Sequence, residues 1–134
     1  MSNKVVAHYL DGRILKGLSI DVDVLKPICH VRSSGGPAVE VKLADLKALY
    51  LVRELEGDPG RHESTQVAQG DNRLHGSTIV TLRFSDGERL VGLMNRYPPN
   101  RPYYFLVPAD PGSNNIRILV NAAAVTSVEA TGPS

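Results

Sequence analysis

The chain has 134 residues, 42% hydrophobic and 22% charged, with a net charge of +1. That length suits one ordinary domain or two very small ones, and the composition is that of a folded, globular chain. Residues 1–56 carry eight Lys and Arg against seven Asp and Glu, and residues 77–134 carry five against four. Neither half is lopsided, which argues against strong nonspecific nucleic-acid binding and leaves room for a small local basic patch.

The first residues alternate: Val5, Ala7 and Tyr9 against Val6, His8 and Leu10. Period two predicts a strand. Val5, Ala7 and Tyr9 are expected to face inward, and Val6 and Leu10 outward, as a docking face. Asp11-Gly12 then predicts a two-residue hairpin. A second strand carries Leu15 and Gly17, the glycine marking a sharp bend or bulge. Further strands are predicted at 28–32 and 39–43, then a 3₁₀ turn at 44–47 and a fifth strand at 48–53. Residues 43–53 also have the composition of a helix.

The pattern then repeats. Residues 5–27 align without a gap on residues 80–102, with Asp86-Gly87 and Gly92 in the places of Asp11-Gly12 and Gly17. The second copy predicts strands at 103–107, 116–120 and 125–130, with a turn at 121–124. Its fifth strand, Val125-Thr126-Ser127-Val128, is a poor helix and argues for a strand at 48–53 as well. The expected organisation is a first unit over 1–56, a flexible linker over 57–77 and a second unit over 78–131. Units of this size are near the lower limit for folding alone, so they are expected to pack together.

Five short strands, an early Asp-Gly turn, a glycine-bent second strand and a 3₁₀ turn before the last strand resemble the Sm-like and SH3-like small barrels. The opening of the Sm motif is similar to Asp11-Gly12-Arg13-Ile14-Leu15-Lys16-Gly17 and to Asp86-Gly87-Glu88-Arg89-Leu90-Val91-Gly92. The resemblance implies an all-β fold of two tandem five-stranded small barrels packed together. It also implies an Sm-like RNA or single-stranded nucleic-acid binder as one function. Lys26-Pro27 stands where RNA-binding members carry asparagine, and 46–49 and 125–128 lack the second Sm signature. The chain also resembles an uncharacterised bacterial domain of regulatory proteins, which implies an adaptor.

The richest candidate site is the run 96–105, which interleaves Arg96 and Arg101 with Tyr97, Tyr103, Tyr104 and Phe105. Guanidinium groups grip phosphate or carboxylate, and aromatic rings offer stacking faces. Arg96, Tyr97, Arg101 and Tyr103, with Arg117, are the expected ligand or nucleic-acid contacts. Val6, Leu10 and Phe105 are the expected interface residues, Phe105 as part of a seam between copies. Asp21 and Asp23 read as solvated loop carboxylates.

No serine lies in a nucleophile elbow, and His8, His30, His62 and His75 lack ligand spacing. No enzyme, cofactor or metal is expected. The single Cys29 lies in an apolar strand-like run, which predicts a buried thiol and fits a reducing, cytoplasmic setting. No signal peptide or membrane-spanning run is read. The favoured function is a non-enzymatic interaction or regulatory module with a protein partner or self-association.

Overall fold

The computed structural model describes residues 2–57, 64–67 and 70–130. It is all-β: ten strands form one antiparallel sheet. In chain order they are β1 Asn3–Tyr9, β2 Ile14–Ser19, β3 Ile28–Arg32, β4 Ala38–Lys42, β5 Leu46–Val52, β6 Thr78–Phe84, β7 Arg89–Met94, β8 Tyr103–Pro108, β9 Asn115–Asn121 and β10 Val125–Ala130. The helical pieces among the described residues are the 3₁₀ turns Leu43–Asp45, Asn72–Leu74 and Ala122–Ala124. The helix reading of 43–53 gives way to a turn followed by β5.

The strands run across the sheet in the order β10-β6-β7-β8-β9-β5-β1-β2-β3-β4. Each half therefore has the same internal order, and the halves join edge to edge through β5 and β9. Here the expectation of closed barrels is corrected: the sheet is open. The outer edge of β5 pairs with β9 over Ala48↔Val120, Leu49↔Leu119, Tyr50↔Ile118 and Leu51↔Arg117. Those two strands are thus spent on each other and cannot close their own halves.

The bend within each half is local. β2 meets β3 at a single residue pair, Leu18↔Arg32, and β7 meets β8 at Gly92↔Pro108 and Leu93↔Val107. A Cβ on Gly92 would stand 2.5 Å from the Val107 carbonyl oxygen and 2.7 Å from Leu106 Cγ. A Cβ on Gly17 would stand 2.8 Å from Val31 Cγ1 and nearer still to the Arg32 carbonyl. Both glycines are required because a neighbouring backbone crosses where a side chain would be.

The Asp-Gly turns also differ from expectation. Gly12 N–H bonds the Tyr9 carbonyl at 3.0 Å and Tyr9 N–H bonds the Arg13 carbonyl at 2.9 Å. Phe84, Gly87 and Glu88 repeat this at 3.0 and 2.8 Å. The loops thus have three residues, not two. Only the glycines take positive φ, 95° and 94°, whereas a two-residue type I′ turn needs two such residues. Asp11 and Asp86 help hold the turn by accepting the N–H of Arg13 and Glu88 at 3.0 and 2.9 Å.

Two apolar clusters lie on opposite faces of the central strands. One gathers Val5, Ala7, Cys29, Val31, Val41, Leu43, Leu46, Leu49 and Leu51 of the first half with Leu119 of the second. The other gathers Val80, Leu82, Phe84, Met94, Tyr104, Leu106, Ile118, Val120 and Ala124 with Val6, Ala48, Tyr50 and Val52 of the first half. This corrects the outward placement of Val6, which is 8% exposed. Its face is apolar because the second half covers it. Leu10, at the turn, is exposed as expected.

Polar contacts add to the join. Buried Asn121 donates to the Leu46 carbonyl at 2.8 Å and accepts from Ala123 N–H at 3.0 Å, capping the 3₁₀ turn. Asn114 bonds both backbone groups of Glu54, at 3.0 and 2.9 Å. Lys47 Nζ lies 2.7 Å from Asp86, also meets Glu88, and sits 4.7 Å above the Phe84 ring. Parts of the expected linker, 58–63 and 68–69, lie outside the described residues. The described remainder is anchored: Arg73 donates to the Pro108 and Ala109 carbonyls at 2.7 and 2.8 Å and pairs with Asp71.

Candidate functional site

β7 and β8 are joined by residues 95–102, which fold over the face of the second half that looks away from its own core. Alternation on β8 sends Tyr104 and Leu106 into that core and Tyr103, Phe105 and Val107 to the opposite face. On that face lies a half-open cavity of about 300 Å³ lined by Leu93, Met94, Tyr103, Tyr104, Phe105, Val107 and Pro99, with Asn95, Arg96, Asn100 and Arg101. Val24, from the β2–β3 loop of the first half, completes the wall. Burial pushes the Tyr104 phenol up to about 12, so it stays protonated and neutral.

Three of the expected ligand contacts, Arg96, Arg101 and Tyr103, therefore line one cavity. Arg117 joins them indirectly: its guanidinium lies 4.2 Å above the Phe105 ring. Tyr97 does not line it. The Tyr97–Pro98 peptide is cis, and Tyr97 Oη reaches β10 instead, donating to the Val128 carbonyl at 3.4 Å and accepting from Ala130 N–H at 3.3 Å. Tyr103 and Phe105 are half-buried against the first-half cluster, as a seam between halves requires.

Arg96 and Arg101 are exposed, and neither forms an ion pair or hydrogen bond among the described residues. Arg13 is held by Asp11, Arg53 by the Ser113 carbonyl and Arg73 by Asp71, whereas Arg32, Arg83 and Arg89 are, like Arg96 and Arg101, without an ion pair among the described residues. Among the described residues no carboxylate lines the cavity.

The second candidate is the free edge of the first half. Among the described residues β4 pairs only with β3, in the register Ile28↔Lys42 to Arg32↔Ala38. Leu43 N–H bonds the Pro27 carbonyl at 2.9 Å. Antiparallel alternation from that bond turns Val41 and Val39 toward β3 and leaves the backbone groups of Lys42, Glu40 and Ala38 facing outward. In the second half the corresponding strand is β9, whose edge is filled by β5. Val39 is 44% exposed beside this edge, and Arg32 and Lys42 are exposed with no ion pair among the described residues.

One cluster was not anticipated. Asp21 is no free loop carboxylate: it accepts from His30 N–H at 2.8 Å and Ser19 Oγ at 3.0 Å, and its second oxygen lies 2.6 Å from His30 Nδ1. Desolvation acts to raise its pKa, and the bonds from the His30 backbone, the His30 ring and Ser19 outweigh it, leaving the pKa below the usual carboxylate value. Asp21 takes over where β2 parts from β3, satisfying a backbone donor that has no strand partner. Cys29 is buried beside it, with a thiol pushed up to about 11 by burial and then by the Asp21 charge, against a bond from Ser19. Such a thiol is protonated and unreactive.

No curated protein and no solved structure matches the chain. A match to the family of unknown function DUF6982 runs over residues 1–132, and the chain belongs to that family.

Proposed function

We propose that this protein is a non-enzymatic interaction module that captures an extended segment of a partner protein by strand addition to β4. The observation that carries this reading is the unequal use of equivalent edges: β9 is filled by β5, whereas among the described residues no strand pairs with the outward backbone groups of β4. Main-chain hydrogen bonds would supply affinity, and side chains on alternate positions would supply specificity. The partner segment has an apolar residue against Val39 and an acidic one against Lys42, which has no acidic partner among the described residues.

The test is selection of short peptides from a random display library, followed by mapping of the bound peptide by NMR. Alternating apolar and acidic sequences that shift the amides of residues 38–42 support the proposal. Glu40→Pro should abolish their binding, because it removes an outward donor and spares the β3 ladder. Peptides that bind elsewhere, or that bind Glu40→Pro equally well, would refute it. Nucleic-acid binding is a second reading, favoured by the convergence of Arg96 and Arg101 on Tyr103. It requires nucleic acid to copurify with the protein at low salt and to leave as salt rises.

A further inference from the structure

The cavity over β7 and β8 combines an apolar floor with two unsatisfied cations. Leu93, Tyr103, Phe105 and Val107 supply the floor, and Arg96 and Arg101 stand at the rim. A guanidinium with no acceptor is normal on a convex surface, where water serves it. Two of them beside an aromatic-walled concavity with no carboxylate among its described lining residues make a different environment. An anion entering there meets two planar donor forks and no repelling charge from those residues. Arg117, with its guanidinium 4.2 Å from the Phe105 ring centroid, adds a third positive charge next to the lining.

We propose that this cavity binds a small ligand made of one planar, apolar body and one anionic group, a phosphate or a carboxylate. The body lies against Tyr103 and Phe105, and Arg96 and Arg101 hold the anion. The volume, about 300 Å³, sits at the lower end of the range for small-molecule sites and suits one ring system with its anionic group. Asn95 and Asn100, at the same rim, can donate to or accept from polar groups on the ring. The site is remote in kind from strand addition at β4: it uses side chains rather than backbone, so either proposal can fail without the other.

The experiment is an NMR titration of the full chain at low salt with adenosine monophosphate, adenosine, inorganic phosphate and 4-hydroxyphenylacetate. At least one of the two anionic aromatics should shift the amides of Leu93, Tyr103 and Phe105 saturably. Adenosine and phosphate alone should bind about tenfold more weakly or worse, since each keeps only half of the recognition. A preference for the nucleotide assigns the anion as phosphate, and a preference for hydroxyphenylacetate assigns it as carboxylate. Arg96→Gln combined with Arg101→Gln should weaken binding about tenfold or more with an unchanged melting temperature, because both side chains are exposed and unpaired. The proposal is overturned by the absence of saturable shifts with either anion, by equal binding to the double variant, or by shifts that only a single-stranded oligonucleotide produces.

Discussion

Replacing Gly92 or Gly17 with alanine tests whether the bend of each half is a packing constraint. An added Cβ on Gly92 would lie 2.5 Å from the Val107 carbonyl oxygen, whereas an ordinary contact begins at 3.4 Å. About 0.9 Å of movement is therefore needed (3.4 − 2.5), and the obstacle is backbone rather than the end of a flexible side chain. The strand cannot simply step back, because the joint is only Gly92↔Pro108 and Leu93↔Val107, and Leu106 beyond it is fully buried. Overpacking of this kind costs about 1–3 kcal/mol, and a backbone clash falls at the upper end, about 2–3 kcal/mol. For a chain of this length that corresponds to a loss of roughly 8–12 °C in Tm. Gly17→Ala should behave alike. Gly36→Ala is the control, since its nearest atom lies 3.9 Å away and its φ is not positive; it should stay within about 0.5 kcal/mol of the parent. Thermal melts followed by circular dichroism decide the matter. If Gly92→Ala and Gly17→Ala melt with Gly36→Ala, the close-approach argument is wrong.

Asp21→Ala should cost about 1–2 kcal/mol at neutral pH by stranding the His30 N–H. Because the folded pKa of Asp21 is depressed, its contribution is present above about pH 4 and is lost as pH falls through the lower folded value. The gap in Tm between parent and variant should therefore close in acid, and a gap that is constant with pH would remove the carboxylate from the account. Lys47→Met should lower Tm by cutting the bridge to Asp86 and Glu88, with a difference that shrinks as salt is added. The pKa of Lys47 is raised, since burial acts to lower it and the bonds to the two acids outweigh that. Its contribution is thus full below about pH 10 and fades as pH climbs through the folded value; a difference that persists in strong alkali would contradict this.

Alternation and turn chemistry carried the strands: all ten predicted segments are strands within a few residues, and the 3₁₀ turns precede β5 and β10. The glycine positions were legible too, although their cause is a crossing backbone rather than a bulge. What local pattern cannot state is what covers a second face. β1 reads as apolar on both sides, through Val5 and Ala7 and again through Val6, and only the partner strand decides whether the second side is a docking surface or a core. Here it is core. The barrel expectation failed for the same reason: nothing in 46–52 says that its outer edge belongs to β9. The cavity was partly visible as the run 96–105, because its chemistry is contiguous in sequence. Val24 and Leu93 were missed, as they arrive from other elements. Asp21 with His30, and Lys47 with Asp86, carry no sequence signal, because each pair exists only once the strands are in place.

The same edge logic predicts the size of the assembly. The 3₁₀ turns align Leu43 with Ala122, so β10 corresponds to β5 and β4 to β9. A second chain could in principle dock its β4 on β10 as β9 docks on β5. At the internal joint Leu49 faces Leu119 and Tyr50 faces Ile118. At the external joint the corresponding pairs are Val128 with Glu40 and Glu129 with Val39. Each pair would bring a carboxylate against an apolar side chain, and a buried unpaired charge is costly. Tyr97 also occupies backbone groups of Val128 and Ala130 on β10. Charge on an edge strand is a standard means of blocking edge-to-edge growth. The protein should therefore run as a monomer in light scattering at any practical concentration, and its open β4 should accept a strand of a different chain. A stable dimer or ring that Glu129→Arg dissolves would show instead that these two edges do meet.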